Sequence, residues 1–390
     1  MAVSAIPPGS RSHAALVEAV DPVQPASPPR AGRTLLLILL ACLALALASL
    51  LVPATALYDP MAWLLWGRDV AQLDLDTSGR GPAWKPLPVL VDAALAGLGS
   101  AAVPAWLVVA RTGALLALAL AYRLAADLAG PVAGVVAAVV LAGSTDYLGA
   151  LLLGAMSEPL LVLLSLLALE RAIAGRTGGA LAALTAAALV RPEVWPFLGA
   201  YGLLVWMREP RRRGQLVALA GLQLLLWFGA EQWGSGDPLR SSHRAGVPSE
   251  GGPLLTDWPA LAVLESAIAQ VPAVAWPGVV VAAVTTAAAA GTGRWEARER
   301  LRVGLVVLGA SWAAVVAAMT AAGVSSGDQR YLLVTAGCAA ALAGAGWVQV
   351  GGWIARSLRS GGRSRPAAGP ACALVAVGLL AASSPEAGGR

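Results

Sequence analysis

The chain has 390 residues, of which 58% are hydrophobic and 13% are charged, and its mean hydropathy is +0.71. This composition excludes a water-soluble globular protein and is typical of a polytopic membrane protein. The formal net charge of +5 does not predict a nucleic-acid partner, because the arginines lie in short loops between apolar runs, where membrane topology accounts for them.

Residues 1–33 are rich in Pro, Ser and Ala without a period, which predicts a disordered cytoplasmic tail. The apolar run 34–57 is longer than the roughly 7–15 residues of a signal-peptide core, so it predicts a retained first membrane span. The cysteines (Cys42, Cys338 and Cys372) lie inside apolar runs, which favours packing roles over disulfides or metal ligands. Further spans are predicted at 102–124, 131–149, 157–172, 214–233, 271–290, 303–323, 331–349 and 368–383.

The apolar stretch 179–207 is interrupted by Arg191-Pro192-Glu193, and it is too long for one span but too short for two full ones. A single crossing would separate the arginines at 208–213 from those that precede the stretch, against the positive-inside tendency. Proline also disfavours helix at the residue before it. We therefore predict a hairpin of two short helices, each about 20 Å long, with Arg191 and Glu193 buried at its apex and paired with each other.

If the hairpin counts as two crossings, the prediction is an all-α, polytopic transmembrane bundle of about 11 spans over 34–383. The N-terminus then faces the cytoplasm, and 384–390 forms a short outer tail. Three polar segments, 58–101, 234–270 and 325–330, face outward, whereas the arginine-rich loops face inward. Chemistry is therefore expected on the outer side of the cytoplasmic membrane.

The first outer segment contains an apolar stripe. Trp63, Trp66, Val70 and Leu73 recur at spacings of 3, 4 and 3, which predicts an amphipathic helix lying on the membrane. The two tryptophans would then belong to an interfacial aromatic belt.

Asp59 and Pro60 stand at the start of this helix. The structural interpretation of Asp59 is an N-cap followed by proline at the first helical position. A capping carboxylate can still present one oxygen to a pocket, so a functional role stays open. Farther along, 84–88 should be extended because residues before proline avoid the helical region, and a second short helix is predicted at 89–98.

A series of short motifs accompanies this segment. Asp59 follows the first span, Lys85-Pro86-Leu87-Pro88 lies between the two short outer helices, Arg111 lies in the second span, Ser157-Glu158-Pro159 opens the fourth, and Arg330-Tyr331 begins a late span. This order resembles the GT-C superfamily of integral membrane glycosyltransferases, which includes protein O-mannosyltransferases and lipid A aminoarabinose transferases. The likeness covers roughly residues 34–350. It departs from the family where the frequent Asp-Glu is Asp59-Pro60 and where Leu87 interrupts the double proline.

The resemblance implies transfer of a sugar from a polyprenyl-phosphate donor to an extracytoplasmic acceptor hydroxyl, with inversion at the sugar carbon. Such a reaction needs a carboxylate that takes the hydroxyl proton and cations that stabilise the departing phosphate. Arg111 could instead form a structural ion pair with Glu158 or Glu193, and Lys85 could extend to the lipid headgroups. The resemblance assigns Asp59 as the base, Lys85, Arg111, Arg330 and Tyr331 as phosphate ligands, and Glu158 as a secondary candidate. Arg191 and Glu193, at the predicted apex of the hairpin, are secondary candidates as well.

Other polar residues of the outer segments have weaker signals. Asp74 and Asp76 could supply the base or hold a divalent cation such as Mg²⁺ or Mn²⁺, although solvated loop carboxylates are the simpler interpretation and no metal site is assigned. His243, flanked by Arg240 and Arg244, could bind an anion or be a solvated loop histidine.

Two other functional classes fit the same sequence. A lipid-linked sugar transporter or flippase also uses broken helices and buried charges, and a non-catalytic envelope-assembly protein would need neither Asp59 nor Lys85. The expected partners are a polyprenyl-phosphate-linked sugar, membrane lipids and an outer acceptor, with the protein in the cytoplasmic membrane.

Overall fold

The computed structural model describes residues 28–54, 56–79, 81–149, 154–290 and 296–359. Throughout these ranges the regular elements are helices, which confirms the all-α prediction. The predicted span 368–383 and outer tail 384–390 lie outside the described residues, as do residues 1–27 of the predicted tail. The α-helices of the described part are α1 (Pro28–Ala48), α2 (Tyr58–Ala71), α3 (Pro86–Leu95), α4 (Ala102–Ala129), α5 (Pro131–Ala142), α6 (Glu158–Ile173), α7 (Thr177–Ala188), α8 (Trp195–Arg208), α9 (Arg213–Leu224), α10 (Ala230–Ser235), α11 (Arg240–Ala245), α12 (Pro259–Ala269), α13 (Trp276–Ala290), α14 (Ala297–Ala321) and α15 (Leu333–Arg359).

The chain is an all-helical, multi-pass membrane protein. By length and composition, 5 helical stretches of the described residues can cross a membrane: Gly32–Leu51, Pro86–Ala129, Pro210–Ser235, Ala297–Ala321 and Gln329–Ser357. A sixth candidate is α12 with α13, which are bent by 78° at a short break. The helices α5 and α7 are apolar but have only 12 residues each, or about 18 Å of helix. Helix α5 is therefore shorter than the full span predicted at 131–149, whereas α7 agrees with the short hairpin helix predicted there.

The central helix of the bundle is α15. In its candidate span 78% of the residues are buried, against 11–39% in the other four long candidates. It packs against α4, α5, α6, α13 and α14, and its first half consists mainly of Ala and Gly, whose small side chains let helices approach closely. A Cβ on Gly346 would lie 1.9 Å from the carbonyl oxygen of Gly278 in α13, so this crossing depends on glycine.

The predicted hairpin is confirmed. Helix α7 ends at Ala188, Arg191 is extended with φ −150° and ψ 138°, and a 3₁₀ turn over Pro192–Val194 leads into α8. Arg191 and Glu193 are both buried at this break. The broken backbone therefore sits inside protein, where its polar groups and charges find partners.

Several predictions for the first outer segment are wrong. Helix α2 begins at Tyr58, so Leu57 occupies the N-cap position and Asp59 lies within the first turn. Trp63 and Trp66 are buried rather than placed at a membrane surface, and Leu73 follows the helix with φ 59° and is exposed. The two tryptophans pack on the protein, because α2 lies against α3, the Trp63 ring contacts Trp106 of α4, and the Trp66 ring contacts Trp84.

The chain before α3 follows the prediction only in part. Lys85 is extended, as expected for a residue before proline, with φ −134° and ψ 102°. Helix α3 then begins at Pro86 instead of residue 89, because prolines fit the first turn of a helix, where no backbone donor is needed. The prediction of a disordered tail is also wrong for residues 28–33, which belong to α1.

Candidate active site

A cavity of about 770 Å³ lies where segments distant in the sequence meet. Its walls come from the start of α2, residues 82–85 just before α3, the break between α7 and α8, the region around α11, and the loop between α14 and α15. Of the residues selected from the sequence, the following line it: Asp59, Lys85, Arg191, Glu193, Arg330 and Tyr331.

Asp59 and Arg330 face each other across the cavity wall. The Arg330 Nη2 atom lies 3.3 Å from Asp59 Oδ2 and 3.5 Å from Asp328 Oδ2. Both contacts are longer than a typical charge-assisted hydrogen bond of about 2.7–2.9 Å, and the Arg330 side chain keeps 30% of its surface exposed. Arg330 therefore bridges two carboxylates loosely and can still contact an anion in the cavity.

Lys85 and Arg191 share one buried carboxylate behind this wall. Lys85 Nζ lies 3.1 Å and Arg191 Nη1 lies 3.2 Å from the same Oε1 atom of the fully buried Glu158. Lys85 Nζ also donates to Ser157 Oγ at 3.2 Å and lies 4.7 Å from the centroid of the Trp63 ring. Burial lowers the pKa of Lys85, and the charge of Glu158 acts against this shift.

Arg191 is held by the apex of the hairpin itself. Its Nε and Nη2 atoms donate to the two oxygens of Glu193 at 3.0 and 2.7 Å, a bidentate pair. Its guanidinium carbon lies 3.4 Å from the centroid of the Tyr331 ring. The break of the hairpin is thus fastened to the start of α15, and the donors of Arg191 are largely occupied by carboxylates.

A second buried cluster, which the sequence did not indicate, joins the two large outer segments. Glu231 of α10 is fully buried and accepts from Arg240 Nη1 at 3.2 Å, from Thr77 Oγ1 at 3.1 Å and from the Ser241 hydroxyl. Ser241 also accepts from the backbone N–H of Trp84 at 2.7 Å. These bonds position the chain that carries Lys85. The one available signal was an acidic residue in the apolar run of α9 and α10.

Four sequence-selected residues lie away from the cavity. Arg111 Nη1 donates to the backbone and hydroxyl oxygens of Ser49 at 3.0 and 2.8 Å, which links α4 to the end of the first span. Asp74 and Asp76 are exposed, and bonds from Ser78 lower the pKa of Asp76. His243 is exposed beside Asp237.

The cavity therefore contains carboxylates and arginines but no obvious metal site. Among the described residues there is no group of three His, Cys, Asp or Glu side chains that could hold a metal ion. No protein-family model matches the chain, and no curated protein matches it.

The walls of the cavity differ in chemical character. Trp84, Trp195, Trp227, Phe228 and Tyr331 form an aromatic side. The cavity is also lined by polar hydroxyl groups, which are named the serine wall here. They belong to Ser241, Ser242, Ser249, Ser325 and Ser326.

Proposed function

We propose that this protein is a GT-C-like integral membrane glycosyltransferase of about 11 spans, which transfers a sugar from a polyprenyl-phosphate donor to an acceptor hydroxyl outside the cytoplasmic membrane. The observation that carries the proposal is the juxtaposition of the Asp59 carboxylate and the Arg330 guanidinium, 3.3 Å apart, in the wall of a cavity of about 770 Å³. A base and an anion-binding cation side by side are what such a transfer needs.

In the proposed reaction, the acceptor oxygen forms a bond to the anomeric carbon while the bond from that carbon to the phosphate oxygen breaks. The acceptor proton passes to Asp59, and the bonding pair leaves with the polyprenyl phosphate. The configuration at the anomeric carbon is inverted. Asp59 is suited to this role because it is free of a helix-capping bond and lines the cavity.

Arg330 is the best candidate for the phosphate ligand. Lys85 and Arg191 already contact Glu158, and Arg191 is further bound to Glu193 in a bidentate pair. These two cations would supply positive potential rather than direct contacts. Arg330, with its two long contacts to carboxylates, can reorient toward phosphate oxygens, which also releases Asp59 to accept a proton.

Arg111 is not part of the proposed site. It does not line the cavity, and its bonds to Ser49 connect two helices. The assignment of Arg111 as a phosphate ligand is therefore replaced by a structural role between α1 and α4.

The test is a mass profile of envelope glycans and lipids in a deletion strain complemented with the wild type, Asp59→Asn or Asp74→Asn at equal membrane levels. Asp74→Asn is the matched control, because it neutralises an exposed carboxylate of the same segment that does not line the cavity. We expect wild type and Asp74→Asn to restore the missing glycan.

Asp59→Asn should reduce the transfer rate by about 10²–10⁴-fold, the usual contribution of a general base, and lead to accumulation of the lipid-linked donor. Full restoration by Asp59→Asn would refute a role as base. It would favour the transporter or assembly classes, in which no proton must be removed from an acceptor.

A further inference from the structure

We infer that Arg244 and the serine wall form a second anion subsite in the cavity, which binds a sugar that carries a carboxylate or phosphate away from its anomeric carbon. The inference rests on the proposed function only for the identity of this sugar as the acceptor. The anion subsite itself depends only on the contacts of Arg244 and of the serine hydroxyls.

Arg244 differs from the other cations that line the cavity. Lys85, Arg191 and Arg330 each lie within 3.5 Å of at least one carboxylate oxygen. Arg244 is partly buried in the cavity wall, and among the described residues it has no carboxylate partner. Its Nε atom donates to the carbonyl oxygen of Gly81 at 2.8 Å, which orients the guanidinium and leaves its two terminal nitrogens for a ligand.

Three hydroxyls of the serine wall, which lines the same cavity as Arg244, are held by hydrogen bonds within the protein. Ser241 is held by Trp84 and Glu231, Ser249 donates to Asp328, and Ser326 donates to the Tyr331 hydroxyl at 3.3 Å. A serine hydroxyl has one donor and two acceptor positions, so each of these groups can still bond to a ligand hydroxyl.

A group that fits both features has many hydroxyls and one negative charge. A hydroxyl-rich ring can exchange hydrogen bonds with the serine wall, and a carboxylate or phosphate can accept two hydrogen bonds from the terminal nitrogens of Arg244. The donor phosphate is expected at Arg330 instead, beside Asp59. The charge recognised by Arg244 is therefore assigned to the second sugar in the cavity.

The test measures binding, not transfer. Purified full-length protein in nanodiscs of zwitterionic phosphatidylcholine is titrated with glucuronate, glucose 6-phosphate, glucose 1-phosphate or glucose, and dissociation constants are taken from ligand-observed NMR. The variants are Arg244→Gln, Arg244→Lys and Arg330→Gln, with Arg68→Gln as the control, since Arg68 is exposed and does not line the cavity.

We expect the wild type to bind glucuronate and glucose 6-phosphate more tightly than glucose. Arg244→Gln should weaken both by at least about tenfold, as for loss of a charge-assisted hydrogen bond, and should leave glucose binding unchanged. Arg244→Lys should retain part of the preference because it keeps the charge, and Arg68→Gln should match the wild type. Glucose 1-phosphate should respond to Arg330→Gln.

Three results would overturn the inference. The first is equal wild-type affinity for glucose and the two sugars charged at the sixth carbon. The second is equal weakening of glucose and the charged sugars by Arg244→Gln, which would mean that Arg244 only holds Gly81. The third is an effect of Arg244→Gln on glucose 1-phosphate alone, which would assign the anion to the donor. Loss of transfer in Asp59→Asn with intact binding separates this inference from the proposed reaction.

Discussion

Replacing Glu158 by glutamine should destabilise the protein strongly. Glu158 is fully buried, and its Oε1 atom lies within 3.2 Å of both Lys85 Nζ and Arg191 Nη1. Glutamine has nearly the same shape but no charge. The amide oxygen of glutamine can still accept a hydrogen bond, but no carboxylate charge remains to balance Lys85, whose other contacts are Ser157 Oγ at 3.2 Å and the face of the Trp63 ring at 4.7 Å.

The two cations should not be affected equally. Arg191 keeps two hydrogen bonds to Glu193, at 3.0 and 2.7 Å, whereas Lys85 loses its carboxylate. Breaking a buried ion pair by removing one partner costs about 3–5 kcal/mol, and we expect the free energy of unfolding to fall within this range. In Glu158→Gln with Lys85→Met, both partners are removed together, so the double variant should regain a large part of the loss.

The assay is unfolding in mixed micelles titrated with sodium dodecyl sulfate, followed by tryptophan fluorescence. Glu209→Gln is the control, since it removes a carboxylate that pairs with Arg212 at 2.6 Å near the surface, where both side chains are more than a third exposed. Such pairs contribute little to stability. If Glu158→Gln were no more destabilising than Glu209→Gln, the buried cluster would not hold the site together.

Two further changes test the packing of the bundle. Gly346→Ala should destabilise the protein by about 1–3 kcal/mol, because its Cβ would lie 1.9 Å from the Gly278 carbonyl oxygen. Gly351→Ala is the control in the same unfolding assay and should be neutral, since the space around its Cβ is open. Ser49→Ala should lower the free energy of unfolding by about 1 kcal/mol, since Arg111 loses an acceptor at 2.8 Å. Ligand binding measured by NMR should not change, and weakened binding would contradict the structural role of Arg111.

The break at Arg191 shows which features of the fold are local. A proline between two charged residues inside an apolar stretch is enough to predict a broken helix, because proline restricts the preceding backbone wherever it occurs. The same holds for the extended conformation of Lys85. In α2, by contrast, the apolar stripe predicted an exposed membrane-surface helix, but Trp63 and Trp66 are buried against the protein. Periodicity identifies an apolar face without identifying what covers it.

The residues of the candidate site also divide into those that local sequence predicts and those that tertiary packing decides. Motifs in the sequence led to Asp59, Lys85, Arg191, Glu193, Arg330 and Tyr331, all of which line one cavity. Arg111 looked equally promising, since a charge within an apolar span is costly without a partner. Two of its hydrogen bonds go to Ser49, a neutral residue at the end of the first span that carries no signal of its own.

Composition and local patterns were therefore sufficient for a helical, multi-pass membrane protein and for the break at Arg191, because burial in lipid and the geometry of proline act on short segments. These patterns do not predict which charged side chains pair with each other. The Glu231 cluster, the contact of Arg330 with Asp59, and the absence of a carboxylate partner for Arg244 among the described residues all depend on how distant segments meet. Distances of a few ångströms between such side chains are set by how the helices pack, and no spacing along the chain encodes them.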